Sequence, residues 1–193
     1  MEHLSSSEIF LHVRVLLGTV IGLGLARLIM TIAGIIQHPN RARSSLLHIL
    51  WVFSMIIELV LFWWWELSLY SVHEWTFGVT GFLVIYAMLL VLIATILAPD
   101  HISEYAGYED FFLKRRRWFF GLFAMVAIFD VIDNAIKGGV YSARFGDAYT
   151  LQAGTGIIVA LIACYSNNRA LHLTIVGVHF IYQAYLVSKY FNG

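Results

Sequence analysis

SLLHILWVFSMIIELVLFWWWELSLY, residues 45–70, is an apolar run that carries one histidine and two glutamates and holds three consecutive tryptophans near its end. An α-helix needs about 20 apolar residues to cross a hydrocarbon layer roughly 30 Å thick, and no proline interrupts this run. Counted from Ser44, twenty residues at ~1.5 Å each put Trp64 about 30 Å away. That is the second interface, where the apolar ring and the polar N–H of tryptophan both find suitable surroundings. Glu66 is then expected at the outer rim, and Glu58 roughly 9 Å deeper, near the middle of the bilayer. At 100° per residue, Ser44, His48, Glu58, Phe62 and Glu66 fall within about 80° of arc, so the helix carries one polar stripe.

The rest of the chain follows the same plan. Of 193 residues, 60% are hydrophobic and 12% charged, about half the charge of a soluble domain. Six apolar spans are predicted, at about 9–36, 45–70, 76–98, 117–137, 148–166 and 169–190. The expected fold is all-α: one transmembrane domain over 1–193, a polytopic six-helix bundle. A short amphipathic interfacial segment is expected before the fourth helix, where Asp100, Glu104, Glu109 and Asp110 precede Lys114, Arg115, Arg116 and Arg117. The four consecutive basic residues are candidates for anionic lipid headgroups. Arg41, Arg43, Lys114 to Arg117 and Arg169 fall in loops on one side, against Lys137, Arg144 and Lys189 on the other, plus Arg14 within the first span. The bias predicts that both termini lie outside the cytoplasm. MEHLSSSEIF has no basic n-region or cleavage site, and the short tails without sorting signals point to a prokaryotic inner membrane. The single cysteine, Cys164, excludes an intrachain disulfide. Zero formal net charge argues against a nucleic-acid partner.

Charges inside the spans are the informative exceptions, since each Asp, Lys or Arg near the bilayer centre costs ~2.5–3.5 kcal/mol. Arg14, Arg27, Glu58, Glu66, Asp130 and Asp133 must face the bundle interior, water or one another. Depth predicts Arg27 opposite Glu58, and Arg14 opposite Glu66 or Asp133. Carboxylates outnumber arginines, so the interior either keeps protons on carboxyls or attracts cations. Asp133 and Lys137 are an i, i+4 pair, with Gly138 and Gly139 as a helix stop. Asp130 lies deeper and has no local cation. The sixth span sets His172, His179 and Gln183 on one stripe, and Tyr86 is central in the third. Gly18-x-x-x-Gly22-x-x-x-Ala26 in the first span, which has a second stripe at Gly24, Arg27, Thr31 and Gly34, predicts a central helix. This face, or Gly156/Ala160 in the fifth span, would suit close packing or a homo-oligomer.

Enzyme motifs are lacking: there is no HExxH, and DVIDNAIK (130–137) has only the paired aspartates of the DxxDGxxAR motif of CDP-alcohol phosphotransferases. No cofactor is expected, with a bis-histidine haem through His48 and His172 the remote exception. The expected activity is a channel or transporter for protons or small cations, with Glu58 and Asp130 in the path, Arg27 as counter-ion and His179 as relay. Glu66, Asp133, Arg14, His48, Tyr86 and Gln183 are secondary candidates. The alternative is a non-transporting module, such as a sensor, assembly factor or subunit, whose buried polar groups join helices.

Overall fold

The computed structural model describes residues 5–72, 74–138 and 148–190; Gly139 and Arg144 lie outside the described residues. All regular structure among them is helical: α1 (Ser6–Gln37), α2 (Leu46–Trp65) continuing into a 3-10 turn (Glu66–Ser71), α3 (Phe77–Ile96), a second 3-10 turn (Ile102–Glu104), α4 (Tyr108–Lys137), α5 (Ala148–Tyr165) and α6 (Arg169–Tyr190). Five of these are long and apolar enough to cross a membrane, and α5 carries a shorter apolar stretch, Leu151–Tyr165. Side chains supply the caps that backbone N–H groups need at helix starts. Ser5 and Glu8 form a capping box on α1, Ser45 caps α2 through His48 N, Thr76 caps α3 and Asn168 caps α6.

The distribution of polarity is inverted relative to a water-soluble bundle. Val15, Met30, Phe77, Leu151 and Ile181 are each at least two-thirds exposed, while His48, Ser54, Glu66, Asp133, Lys137, His172 and Gln183 are buried. Apolar surface of that extent is stable against lipid, and buried polar groups then need partners inside the protein. The long apolar helices and this inversion are those of a membrane protein.

α2 and α4 form the centre. Trp51 of α2, 1% exposed, sits in a cage of Phe112, Phe119, Phe120 and Phe123 from α4. A second aromatic group, Phe62, Tyr86, Phe82 and Phe129, joins α2, α3 and α4 nearer the tryptophan triplet. α5 packs chiefly on α4 and α6 chiefly on α2, so the two arms of the last hairpin touch each other little.

Two expectations are corrected. α1 is peripheral: it packs mainly on α3 and secondarily on α2. Only part of its small-residue surface is used. A side chain on Gly24 would meet Leu59 and Val91 at 3.2 Å, whereas Gly22 faces open space and Ala26 is exposed. Small residues permit close approach on a face without requiring it. In α5, likewise, Gly156 is open while Ala160 is buried, so these two do not form one free face.

The second correction concerns the segment before the fourth span. It is not a separate interfacial piece, because α4 runs unbroken from Tyr108 for 30 residues. Its polar first turns hide the helix from an apolar window, yet Glu109 and Asp110 suit the positive end of a helix dipole. The start is fixed by Gly107, whose φ is 148°. Tyr108 N donates to the Arg43 carbonyl at 3.1 Å, and a Cβ on Gly107 would come within 3.0 Å of that oxygen. Glycine is the residue that tolerates both conditions.

Candidate functional site

Two polar clusters occupy the interior, both reached from the polar stripe of α2. The first joins α2 to α6. Gln183 Nε2 donates to Glu58 Oε2 at 2.8 Å and to the Ser54 carbonyl at 3.0 Å. Ser54 Oγ shares a 2.7 Å hydrogen bond with His179 Nδ1, and His179 Nε2 lies 3.8 Å from Glu58 Oε2. Ser54 and Glu58 are spaced i, i+4 on one helix, as are His179 and Gln183 on the other, so each pair presents one face. The His179 ring is held edge-on by Phe123, at 5.3 Å between centroids, and tilted by Trp51. Glu58, His179 and Gln183 were expected from the sequence; Ser54 was not. Its signal was the i−4 position from Glu58.

The second cluster joins the end of α2 to the end of α4. Lys137 Nζ donates to Glu66 Oε1 at 2.9 Å and also to Asp133 Oδ2. The lysine side chain is fully buried, and the two carboxylates are 5% exposed. Glu66 is therefore no rim charge. The 3-10 turn that begins at Glu66 buries Leu69 and leaves the glutamate on the inward side of its helix. Helical phase, which puts Glu66 on the stripe of Glu58, gives its inward direction, which position along the helix axis leaves open. Burying a lysine with two carboxylates costs several kcal/mol for each group that stays ionised, offset only by close pairing. Glu66 Oε2 and Asp133 Oδ1 remain without a hydrogen-bond partner among the described residues. Nearby, the Tyr149 hydroxyl of α5 donates to Asp130 Oδ2 at 2.6 Å.

The arginines go elsewhere than expected. Arg27 reaches out of the bundle to Asp100 and donates to the Ala98 carbonyl at 3.0 Å, so it does not face Glu58. Its flexible stem carries the charge to the helix end, as long basic side chains do near interfaces. Arg14 lies 5.5 Å over the ring of Trp63, a cation–π contact worth about 0.5–2 kcal/mol, and pairs with neither Glu66 nor Asp133. The tryptophan triplet thus divides its tasks: Trp63 takes Arg14 and packs under Gly18, while Trp64 is half exposed.

Tyr86 is buried among aromatic rings. His48 Nε2 donates to the Leu97 carbonyl at 2.7 Å, and His172 Nε2 to the Ser166 carbonyl at 2.9 Å. Each ring lies in its own aromatic surroundings, Tyr108 and Phe111 for His48 and Phe112 and Phe120 for His172. Both Nε2 atoms are committed to carbonyls, which does not fit axial ligation of a haem. Among the described residues no three His, Cys, Asp or Glu side chains gather as a metal site would require. The basic run is not one patch, because successive residues point 100° apart. Lys114 pairs with Asp110 at 2.8 Å, Arg115 donates to Tyr105 Oη, Arg116 donates to the Leu113 carbonyl and Arg117 lies over Tyr165.

Compared with known family models, curated proteins and solved structures, the chain matches none.

Proposed function

We propose that this chain is a six-span membrane protein of a prokaryotic inner membrane that conducts or carries protons, or small cations, through its own helical bundle. One observation carries the reading. Among the described residues the spans set four carboxylates, Glu58, Glu66, Asp130 and Asp133, against one buried lysine, Lys137, which pairs with Glu66 and Asp133, and the ion pair of Arg27 and the stacking of Arg14 leave that excess in place. Glu58 and Asp130 accept hydrogen bonds from the neutral groups Gln183 and Tyr149. A carboxylate in a membrane-spanning helix without a Lys or Arg partner among the described residues is a place where a proton or a cation can be held. In this reading Glu58 exchanges a proton with His179, whose Nε2 points towards it, and Ser54 fixes the other ring nitrogen. Both termini lie outside the cytoplasm, since the basic loops gather at the opposite end.

The test is proton and cation flux into liposomes across a pH and voltage series. Wild type is expected to conduct, and Glu58→Gln and Asp130→Asn to fall to the level of protein-free liposomes. Flux from wild type no greater than from empty liposomes would remove the reading. The second reading is the non-transporting module, and it too has an observation in its favour: all four carboxylates have a partner on another residue, three of them across helices. It predicts normal folding and no flux.

A further inference from the structure

Where α3 ends, an open hollow of about 430 Å³ lies between the α3–α4 connection and α4, with Thr95, Ile96, Asp100, Glu104, Arg115 and Trp118 among its walls. Its place and its contents both narrow what it can hold. Ile96 is the last residue of a helix 20 residues long, the length that spans hydrocarbon and no more. Trp118 is 65% exposed beside it, as tryptophan is at the headgroup level. The lower wall is therefore met by acyl chain and the upper wall by headgroup.

The charges of the upper wall are of both signs. Tyr105 Oη accepts from Nε of Arg115 at 3.2 Å and from Nη2 at 2.8 Å, which orients the guanidinium and leaves Nη1 for a ligand. Asp100 is already paired with Arg27. Glu104 is exposed and makes no ion pair among the described residues. One directed cation and one carboxylate without an ion pair, with the His101 ring on the same hollow, fit a dipolar ligand, whose phosphate meets Arg115 and whose ammonium meets Glu104. An anionic headgroup would satisfy the arginine and be repelled by the glutamate. A choline headgroup would bring its charge without N–H donors for the carboxylate.

We propose that this hollow is a binding site for the zwitterionic headgroup of phosphatidylethanolamine. The inference rests on the chain lying in a membrane and is independent of whether ions cross it. The experiment is native mass spectrometry of the delipidated full chain in detergent, titrated with phosphatidylethanolamine, phosphatidylcholine and phosphatidylglycerol of identical acyl chains. Phosphatidylethanolamine is expected to be retained about tenfold more tightly than either of the others, the effect of one charge-assisted hydrogen bond. Glu104→Gln should bring phosphatidylethanolamine down to the level of phosphatidylcholine, and Arg115→Gln should weaken all three lipids. Both side chains are exposed, and circular dichroism checks that helix content is unchanged. Equal retention of the three lipids, tighter binding of phosphatidylglycerol, or a preference for phosphatidylethanolamine that survives Glu104→Gln would each overturn the proposal.

Discussion

The two polar clusters lie about two helical turns apart on the same stripe of α2, yet they are built on opposite principles. Around Glu66 the groups are ionic: a buried lysine between two carboxylates. Around Glu58 they are an amide, a hydroxyl and an imidazole, joined by hydrogen bonds at 2.7 to 3.0 Å. In the triad one lysine is bonded to two carboxylates from different helices and balanced by either of them, so its charge ties the ends of α2 and α4 together. A hydrogen-bonded lattice with an imidazole can change its proton count and keep its geometry. The first arrangement suits joining helices and the second suits exchange, so one membrane interior separates the tasks that the sequence shows as a single row of acids.

The sharpest way to break this contrast is Lys137→Met. It strands two buried carboxylates and should lower stability by about 3–5 kcal/mol, read from unfolding in mixed micelles. The charge-free triple variant Glu66→Gln, Asp133→Asn, Lys137→Met should regain most of that loss. If the single change were harmless, the triad would not be a structural joint. Next, Gln183→Leu removes the donor to both Glu58 and the Ser54 carbonyl, and should cost about 1–3 kcal/mol as well as altering flux. A smaller effect is expected for Ser54→Ala, about 1 kcal/mol by the same measurement, with a shifted pH profile of flux because the imidazole loses its anchor. The smallest stability change should come from Glu66→Gln, within about 1 kcal/mol, because Lys137 keeps Asp133. Its flux should match wild type, in contrast to Glu58→Gln; equal inhibition by the two glutamine variants would erase the division between the clusters.

Much of the scaffold was legible because its cause is local. Apolar length predicted the positions of the long helices to within a few residues, except where α4 begins with polar turns. The stripe on α2 was legible because helical phase is set by the backbone alone. Partners were not. Lys137 meets Glu66 from 71 positions away, and Arg27 meets Asp100 from 73, and neither separation leaves a periodic trace. Position along a helix axis gives the level of a Cα and not of the charge beyond it. A guanidinium on a long stem can leave the level of its helix turn, and Arg27 does so. A terminal lysine can turn inward, and Lys137 does so where the end of α2 supplies a carboxylate.

Near the other end of the bundle, Glu109 Oε2 accepts from Ser45 Oγ at 3.2 Å and pairs with Arg169 Nε at 3.1 Å. The three residues belong to the first turns or caps of α4, α2 and α6. During synthesis they leave the ribosome in the order serine, glutamate, arginine, so the clasp is half made for as long as it takes to translate and insert α5. Until Arg169 arrives, the first four helices hold an acid that is tied on one side only. The last helix thus does more than complete the bundle: its first residue, Arg169, closes a joint opened two helices earlier.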